Sequence, residues 1–199
     1  MARKLSDRLV ERMPWLDGVA GGLQKLWEPV LGEAAPRPLK DALVGVWLGH
    51  PLHPAVVLLP IGFWTSSFVL DLANEEEAAD LLLALGLAST APAMATGAAQ
   101  WFDATGDVEP RRLGALHAAV NTAAAGLYVG SLIARKNGNR GMGVALSTAG
   151  LVLVNAGGWL GGDVAYDLGI GVDHTAFETP PTKWTAVLDA TELDDGKPH

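Results

Sequence analysis

The chain contains no cysteine, so it cannot by itself form a disulfide, a thiolate zinc site or an iron–sulfur cluster. Any metal that it binds must therefore rest on histidine or carboxylate ligands. Positive charge is also scarce, since 14 Lys and Arg face 22 Asp and Glu, with a formal net charge of -8 and a pI near 5.0. This balance argues against a nucleic-acid partner, because binding would need a basic surface that displaces counterions.

Charged residues are few overall, at 18% of the chain against 49% hydrophobic residues, although the mean hydropathy is only +0.23. They are concentrated in residues 1–41, in short loops and after Asp163, which leaves long uncharged stretches between. The first residues also lack the apolar core of a cleavable signal peptide. We therefore expect lipid to be the solvent of the middle of the chain and the later segments themselves to drive insertion.

Four uncharged segments reach the roughly 20 residues that a helix needs to cross the hydrocarbon core. They run from about Pro54 to Leu72, Ala78 to Ala99, Leu113 to Ala134 and Met142 to Leu160, the last continuing as far as Leu168. A soluble bundle would show a charged stripe on each helix, and none of the four segments has one. The predicted fold class is all-α, an integral membrane four-helix up-down bundle with an N-terminal amphipathic helical segment. Pro60 is expected to kink the first helix.

Three regions are predicted along the chain. Residues 1–38 form amphipathic helices, lying on the membrane surface or forming a soluble cap, and end in a linker. Residues 39–178 form the four-span membrane domain, and residues 179–199 form a polar tail. Small residues on the spans allow close helix packing, and a homo-oligomer stays open as a partner besides the lipid bilayer.

Up-down topology gathers histidines at one membrane face, here called the histidine face. His50 and His53 precede the first span, His117 lies in the first turns of the third, and His174 follows the fourth. An ionisable residue within a span is costly and by default marks a functional site.

Two polar stripes accompany these histidines. At 100° per residue, His117, Asn121 and Tyr128 share one face of the third helix, which is expected to point inward. On the fourth helix, Asn155, Trp159, Gly162 and Tyr166 share a face that is also expected to point inward, with Tyr166 near the level of the histidines. Such side chains can line a site or simply bond one helix to another.

Three uses of the histidines stay open: axial ligation of haem, binding of a bare metal ion with Asp163 or Asp173, and proton relay. His50 and His53 can also merely cap the first span at the interface. We predict that His53 and His117 are the ligands of one cofactor, haem b or a metal ion. His50, His174, Asn121 and Tyr166 are predicted as alternative ligands or supporting residues.

The segment from Val46 to Ala55, Val-Trp-Leu-Gly-His-Pro-Leu-His-Pro-Ala, resembles the signature of a family of bacterial four-helix membrane proteins of unknown function. Further matches follow in order: Leu59-Pro60-Ile61-Gly62, Trp64, Leu116-His117, the run Gly157 to Gly162, Tyr166, Gly169, Gly171-Val172, His174 and Phe177. The resemblance covers about residues 39–178 and implies a four-helix membrane fold without an established activity.

Members of that family are often followed by a Rieske-type ferredoxin domain, and residues 183–198 are similar to the opening strand and turn of such a domain. The Cys and His ligands of a 2Fe-2S cluster are absent from the printed sequence. A Rieske domain beyond the chain, a remnant of one and an ordinary polar tail all stay open.

The favoured hypothesis is a redox component of the plasma (inner) membrane, with a histidine-ligated haem or metal that exchanges electrons with a Rieske-type domain. The alternative is a cofactor-free membrane anchor or scaffold. A small-solute transporter is the least supported, because the spans carry few ionisable groups. The cations near the histidine face, Arg37, Lys40, Arg111, Arg112 and Lys183, outnumber those at the opposite face and predict cytoplasmic termini.

Overall fold

The computed structural model describes residues 5–172, 182, 183 and 186, and within them it is built from helices without a β-strand. Three short helices come first, α1 (Leu5–Glu11), α2 (Leu16–Leu31) and α3 (Arg37–Val44). Four segments long and apolar enough to cross a membrane follow: His53–Leu72, Glu76–Phe102, Val108–Lys136 and Arg140–Asp167, here called spans one to four. The predicted all-α fold with four spans is confirmed. The strand expected in the tail lies outside the described residues.

Spans one and four are each made of two pieces. Span one consists of α4 (His53–Val56) and α5 (Leu58–Leu72), with a break at Val57. Pro60 explains the break, because it has no N–H to offer the carbonyl of Val56 four residues earlier. Span four consists of α8 (Arg140–Gly162) and a π-helical turn over Asp163–Asp167. Span two is the single helix α6 (Glu76–Phe102), and span three is the single helix α7 (Val108–Lys136).

The spans form two tightly packed antiparallel hairpins, spans one and two and spans three and four. Span one also packs against span four, and span two against span three, so that spans one and three lie diagonally across the bundle. The N-termini of spans one and three share the histidine face. The opposite ends carry the two hairpin loops and four ionised residues, Asp71, Asp80, Arg135 and Arg140, and are here called the charged face.

The second hairpin repeats the first at a distance of 64 positions. Helix α5 ends at Leu72 and α7 at Lys136, while α6 begins at Glu76 and α8 at Arg140. Each loop has one residue with positive φ at the equivalent place, Asn74 at 61° and Gly138 at 78°. The loop hydrogen bonds also match: Glu75 N binds Leu70 O, and Asn139 N binds Ala134 O. The two hairpins thus share one backbone design.

Side chains repeat in the same register. Ser67 Oγ donates to the Ala79 carbonyl at 2.8 Å, and Ser131 Oγ, 64 positions later, donates to the Gly143 carbonyl at 2.6 Å. Several equivalent residues contact each other across the bundle: Trp64 stacks on Tyr128, Asp71 bonds to Arg135, and Glu76 pairs with Arg140. Contact between equivalent residues is what a twofold axis produces. The bundle therefore consists of two parallel repeats related by a pseudo-twofold axis along its length.

The N-terminal helices dock on the histidine face. Leu16 and Ala20 of α2 are fully buried in a cluster with Trp101 of span two and Leu113 of span three. Asp17 binds both Arg111 and Arg112, the latter at 2.6 Å. The hydrogen bond from Arg112 is the largest cause that lowers the pKa of Asp17 from 3.8 to about 2; Arg111 adds to it, and desolvation opposes both. This docking covers the ends of spans two and three.

Candidate histidine site

His117 is held by the neighbouring helix of its own hairpin. Its Nδ1 lies 2.8 Å from the carbonyl oxygen of Gly157 on span four. A carbonyl can only accept, so Nδ1 must carry the proton and Nε2 keeps a lone pair. Asn121, one turn further along span three, donates its amide to the backbone carbonyl of His117 at 2.9 Å and lies 3.4 Å from both ring nitrogens. The ring is thus oriented with the lone pair on Nε2, which the Asn121 amide approaches to 3.4 Å.

His53 is the equivalent residue of the first hairpin, and its Nδ1 also faces an acceptor on the neighbouring helix, here a hydroxyl group. Its Nδ1 lies 3.3 Å from Thr96 Oγ1 on span two. That hydroxyl also lies 2.8 Å from the Pro92 carbonyl and 3.1 Å from the Ala93 carbonyl, and when it donates its one proton to either of them it can only accept from the imidazole. In that arrangement Nδ1 of His53 carries the proton, and its Nε2 also keeps a lone pair.

Equivalent glycines make room for both rings. A Cβ placed on Gly97 would lie 2.8 Å from Cε1 of His53, and one on Gly161, 64 positions later, would lie 3.0 Å from Cε1 of His117. Each imidazole therefore fits against the backbone of the facing helix, where a larger residue would displace it. The two imidazoles are also near enough to interact electrostatically with each other. The predicted pairing of His53 and His117 as ligands of one cofactor stays a prediction.

The other predicted residues fall into three groups. Asn121 adjoins His117 on the inner stripe of span three, and Tyr128 on the same stripe is 1% exposed, so this stripe points inward as predicted. His50 is exposed, with its Nδ1 3.0 Å from the carbonyl of Pro51, and does not join the pair. His174 and Asp173 lie outside the described residues.

The predicted inward stripe of span four is wrong. Tyr166 is 89% exposed, Trp159 is 46% exposed, and Asn155 is exposed and bonds only to the carbonyl of Leu151 on its own helix. Lipid is as apolar as the bundle interior, so the pattern of apolar residues does not show which face of a span points inward and which faces lipid. The inner face of span four is instead its glycine face, which includes Gly157 and Gly161.

Thr96 and Gln100 on span two were not predicted as parts of the site. Thr96 orients His53, and Gln100 lies one turn beyond, with its Nε2 donating to the carbonyl of Ile170 at 3.2 Å. Its Oε1 is buried and has no hydrogen-bond partner among the described residues. The sequence could have indicated them, because two polar residues four positions apart near the end of an apolar span lie on one face of the helix.

The described residues contain no group of three or more His, Cys, Asp or Glu side chains arranged to hold a metal ion. His53 and His117 therefore have no third side chain of these types beside them in this part of the chain. Two nitrogens suit the axial positions of a haem, whereas a bare zinc or copper ion takes further ligands.

Comparison with known proteins identifies a family but gives no information on the activity of the histidine site. No curated protein and no solved structure matches the chain. One family model, described as "Predicted membrane protein (DUF2231)", matches residues 49–174, which include both hairpins and both oriented histidines. Since that match spans more than half of the sequence and the four helices fit its description, the chain belongs to the DUF2231 family of membrane proteins, whose function is unknown.

Proposed function

We propose that the protein is a membrane-embedded redox component in which Nε2 of His53 and Nε2 of His117 bind one cofactor, haem b or a metal ion. The observation that carries the proposal is the common state of the two rings. Each has its Nδ1 within hydrogen-bond distance of an acceptor on a facing helix, the Gly157 carbonyl for His117 and the Thr96 hydroxyl for His53, which leaves the lone pair to Nε2. The side-chain amide of Asn121, 3.4 Å from Nε2 of His117, would have to give way to a ligand there. Ligand histidines in metalloproteins are oriented in this way.

The donor set fits haem better than a bare ion. Haem iron can be held by two histidine nitrogens, and the pseudo-twofold axis presents two equivalent imidazoles, His53 and His117, that would hold it. When bound, haem would supply one-electron transfer. A bare ion would need additional ligands, for which Gln100, whose Oε1 lacks a partner among the described residues, and His174 are the candidates.

The partner proposed for electron exchange is a Rieske-type 2Fe-2S domain docked on the histidine face. The proposal rests on the resemblance of residues 183–198 to the start of such a domain and on the position of the site near that face. The cluster would have to belong to another domain or chain, because this sequence has no cysteine. The plasma membrane, with the histidine face in the cytoplasm, is the proposed location.

A cofactor-free anchor or scaffold is the second candidate. It is favoured by the close fit of each imidazole against a glycine and by the absence of a three-ligand group within the described residues. In that case each histidine would hold the two helices of its own hairpin together through an interhelical hydrogen bond.

The test is the absorption spectrum and metal content of the full chain, purified after expression with a haem precursor. We expect a Soret band, or stoichiometric iron, copper or zinc. His53→Ala and His117→Ala should each abolish it, while His50→Ala, at an exposed position, serves as the matched control. A wild-type protein without Soret band or bound metal would overturn the redox proposal in favour of the scaffold.

A further inference from the structure

The charged face holds a buried network between the two hairpins. The guanidinium of Arg135 makes two hydrogen bonds to the Asp71 carboxylate, at 2.8 and 2.5 Å, and a third to Asp80 at 2.7 Å. The side chains of Asp71 and Arg135 are each 1% exposed. Arg140 adds bonds to Asp71 at 2.6 Å and to Asp80 at 3.1 Å. The network therefore joins ends of all four spans.

The charges divide strictly between the halves. Asp71, Glu76 and Asp80 belong to the first hairpin, and Arg135 and Arg140 belong to the second. Asp71 and Arg135 are equivalent positions, as are Glu76 and Arg140, whose Oε1 and Nε lie 3.4 Å apart. Asp71 and Glu76 thus stand where the other half has arginine, whereas Asp80 stands where the other half has the uncharged Val144.

This arrangement would fail if a hairpin met its own copy. Around a twofold axis an equivalent residue faces itself, so two first hairpins would bring Asp71 against Asp71, and two second hairpins would bring Arg135 against Arg135. Like charges brought together away from water destabilise such a pairing strongly. Only a first hairpin paired with a second one makes the buried charges complementary.

We propose that this network specifies the pairing of the two hairpins, selecting the second hairpin as the partner of the first and rejecting an identical hairpin from a second copy of the chain. Stability alone does not explain buried ion pairs, because well-packed apolar residues in their place are often at least as stable. A buried polar contact that selects one pairing is their best-attested use. The inference is independent of any cofactor at the histidine face.

The experiment moves the charges between equivalent positions in the full chain. The basic variant carries Asp71→Arg, Glu76→Arg and Asp80→Val; the acidic variant carries Arg135→Asp, Arg140→Glu and Val144→Asp; the exchanged variant carries all six substitutions. The exchanged variant has the charge pattern of the wild type with the halves reversed. The readouts are the yield of monodisperse protein in detergent and its thermal unfolding.

We expect the exchanged variant to resemble the wild type, while the basic and acidic variants each lose about tenfold or more of the folded yield. Co-expression of the basic and acidic variants, with different affinity tags, should restore folded protein in which both tags co-purify, because halves exchange between chains. An unfolded exchanged variant, or co-expression without rescue, would overturn the proposal. So would basic and acidic variants that fold as well as the wild type.

Discussion

The indole of Trp64 on span one lies parallel to the phenol ring of Tyr128 on span three, with ring centroids 3.9 Å apart and planes inclined by 9°. The two residues are separated by 64 positions and are equivalent in the two hairpins. Trp64 Nε1 donates to the Leu83 carbonyl at 3.3 Å, whereas the buried Tyr128 hydroxyl has no partner among the described residues. The two rings pack against each other inside the bundle, between the histidine face and the charged face.

Removal of the Tyr128 hydroxyl should not weaken the bundle. Tyr128→Phe keeps the stacked ring and deletes a buried polar atom without a partner, so we expect thermal stability in detergent to stay equal or rise by about 1 kcal/mol. Trp64→Ala, which removes the ring opposite, should cost about 3–5 kcal/mol. A clear loss of stability in Tyr128→Phe would mean that the hydroxyl binds a water or a ligand.

Alanine at the glycines that face the histidines should disturb the site without affecting insertion. The added Cβ of Gly97→Ala or Gly161→Ala would meet the ring of His53 or His117, so each variant should bind the proposed cofactor about 10- to 100-fold more weakly. Gly158→Ala is the control, because a Cβ there meets no atom within 4 Å. Titration followed by visible absorption measures the effect. Equal affinity in all three variants would contradict the assigned ring positions.

The contact between Asp17 and the two arginines should be lost in acid. Since folding lowers the pKa of this carboxyl from 3.8 to about 2, its contribution is complete above 3.8 and disappears as the pH falls through that window. Protection factors of the α2 amides, which correct for the pH dependence of intrinsic exchange, should therefore stay high at pH 5 and fall near pH 2. Asp17→Asn should show the lower protection already at pH 7. Identical protection in the variant would show that apolar contacts alone hold α2.

The termini are predicted to be cytoplasmic, because Lys and Arg near span ends are enriched on that side of a membrane. The histidine face has Arg37, Lys40, Arg111 and Arg112 near the spans, against Arg135, Lys136 and Arg140 at the charged face. A fluorescent protein fused after His199 should be bright, and alkaline phosphatase fused there should be inactive. Active phosphatase with a dark fluorophore would reverse the orientation.

Much of the fold could be predicted because the solvent imposes it. Uncharged runs such as that from Leu113 to Ala134 have no stable place except lipid, and short loops force successive spans to alternate in direction. Alternation alone placed His53 and His117 at the same face. The kink predicted at Pro60 follows from its missing N–H, and the structure shows a break in the helix at Val57.

The repeat was present in the sequence but weak. Leu52-His53-Pro54-Ala55-Val56 returns as Leu116-His117-Ala118-Ala119-Val120, while most other equivalent positions differ. Small and apolar residues replace one another freely in lipid-facing helices, which hides the similarity. Contacts between equivalent residues made it visible.

The sequence by itself determined the number of spans, their direction and the face on which the histidines gather, because length and hydropathy are properties of the chain alone. The tertiary structure decided which faces turn inward and which residues meet. Tyr166 turned outward, and Asp71 met Arg135, because helix rotation and pairing depend on packing between spans rather than on any local pattern.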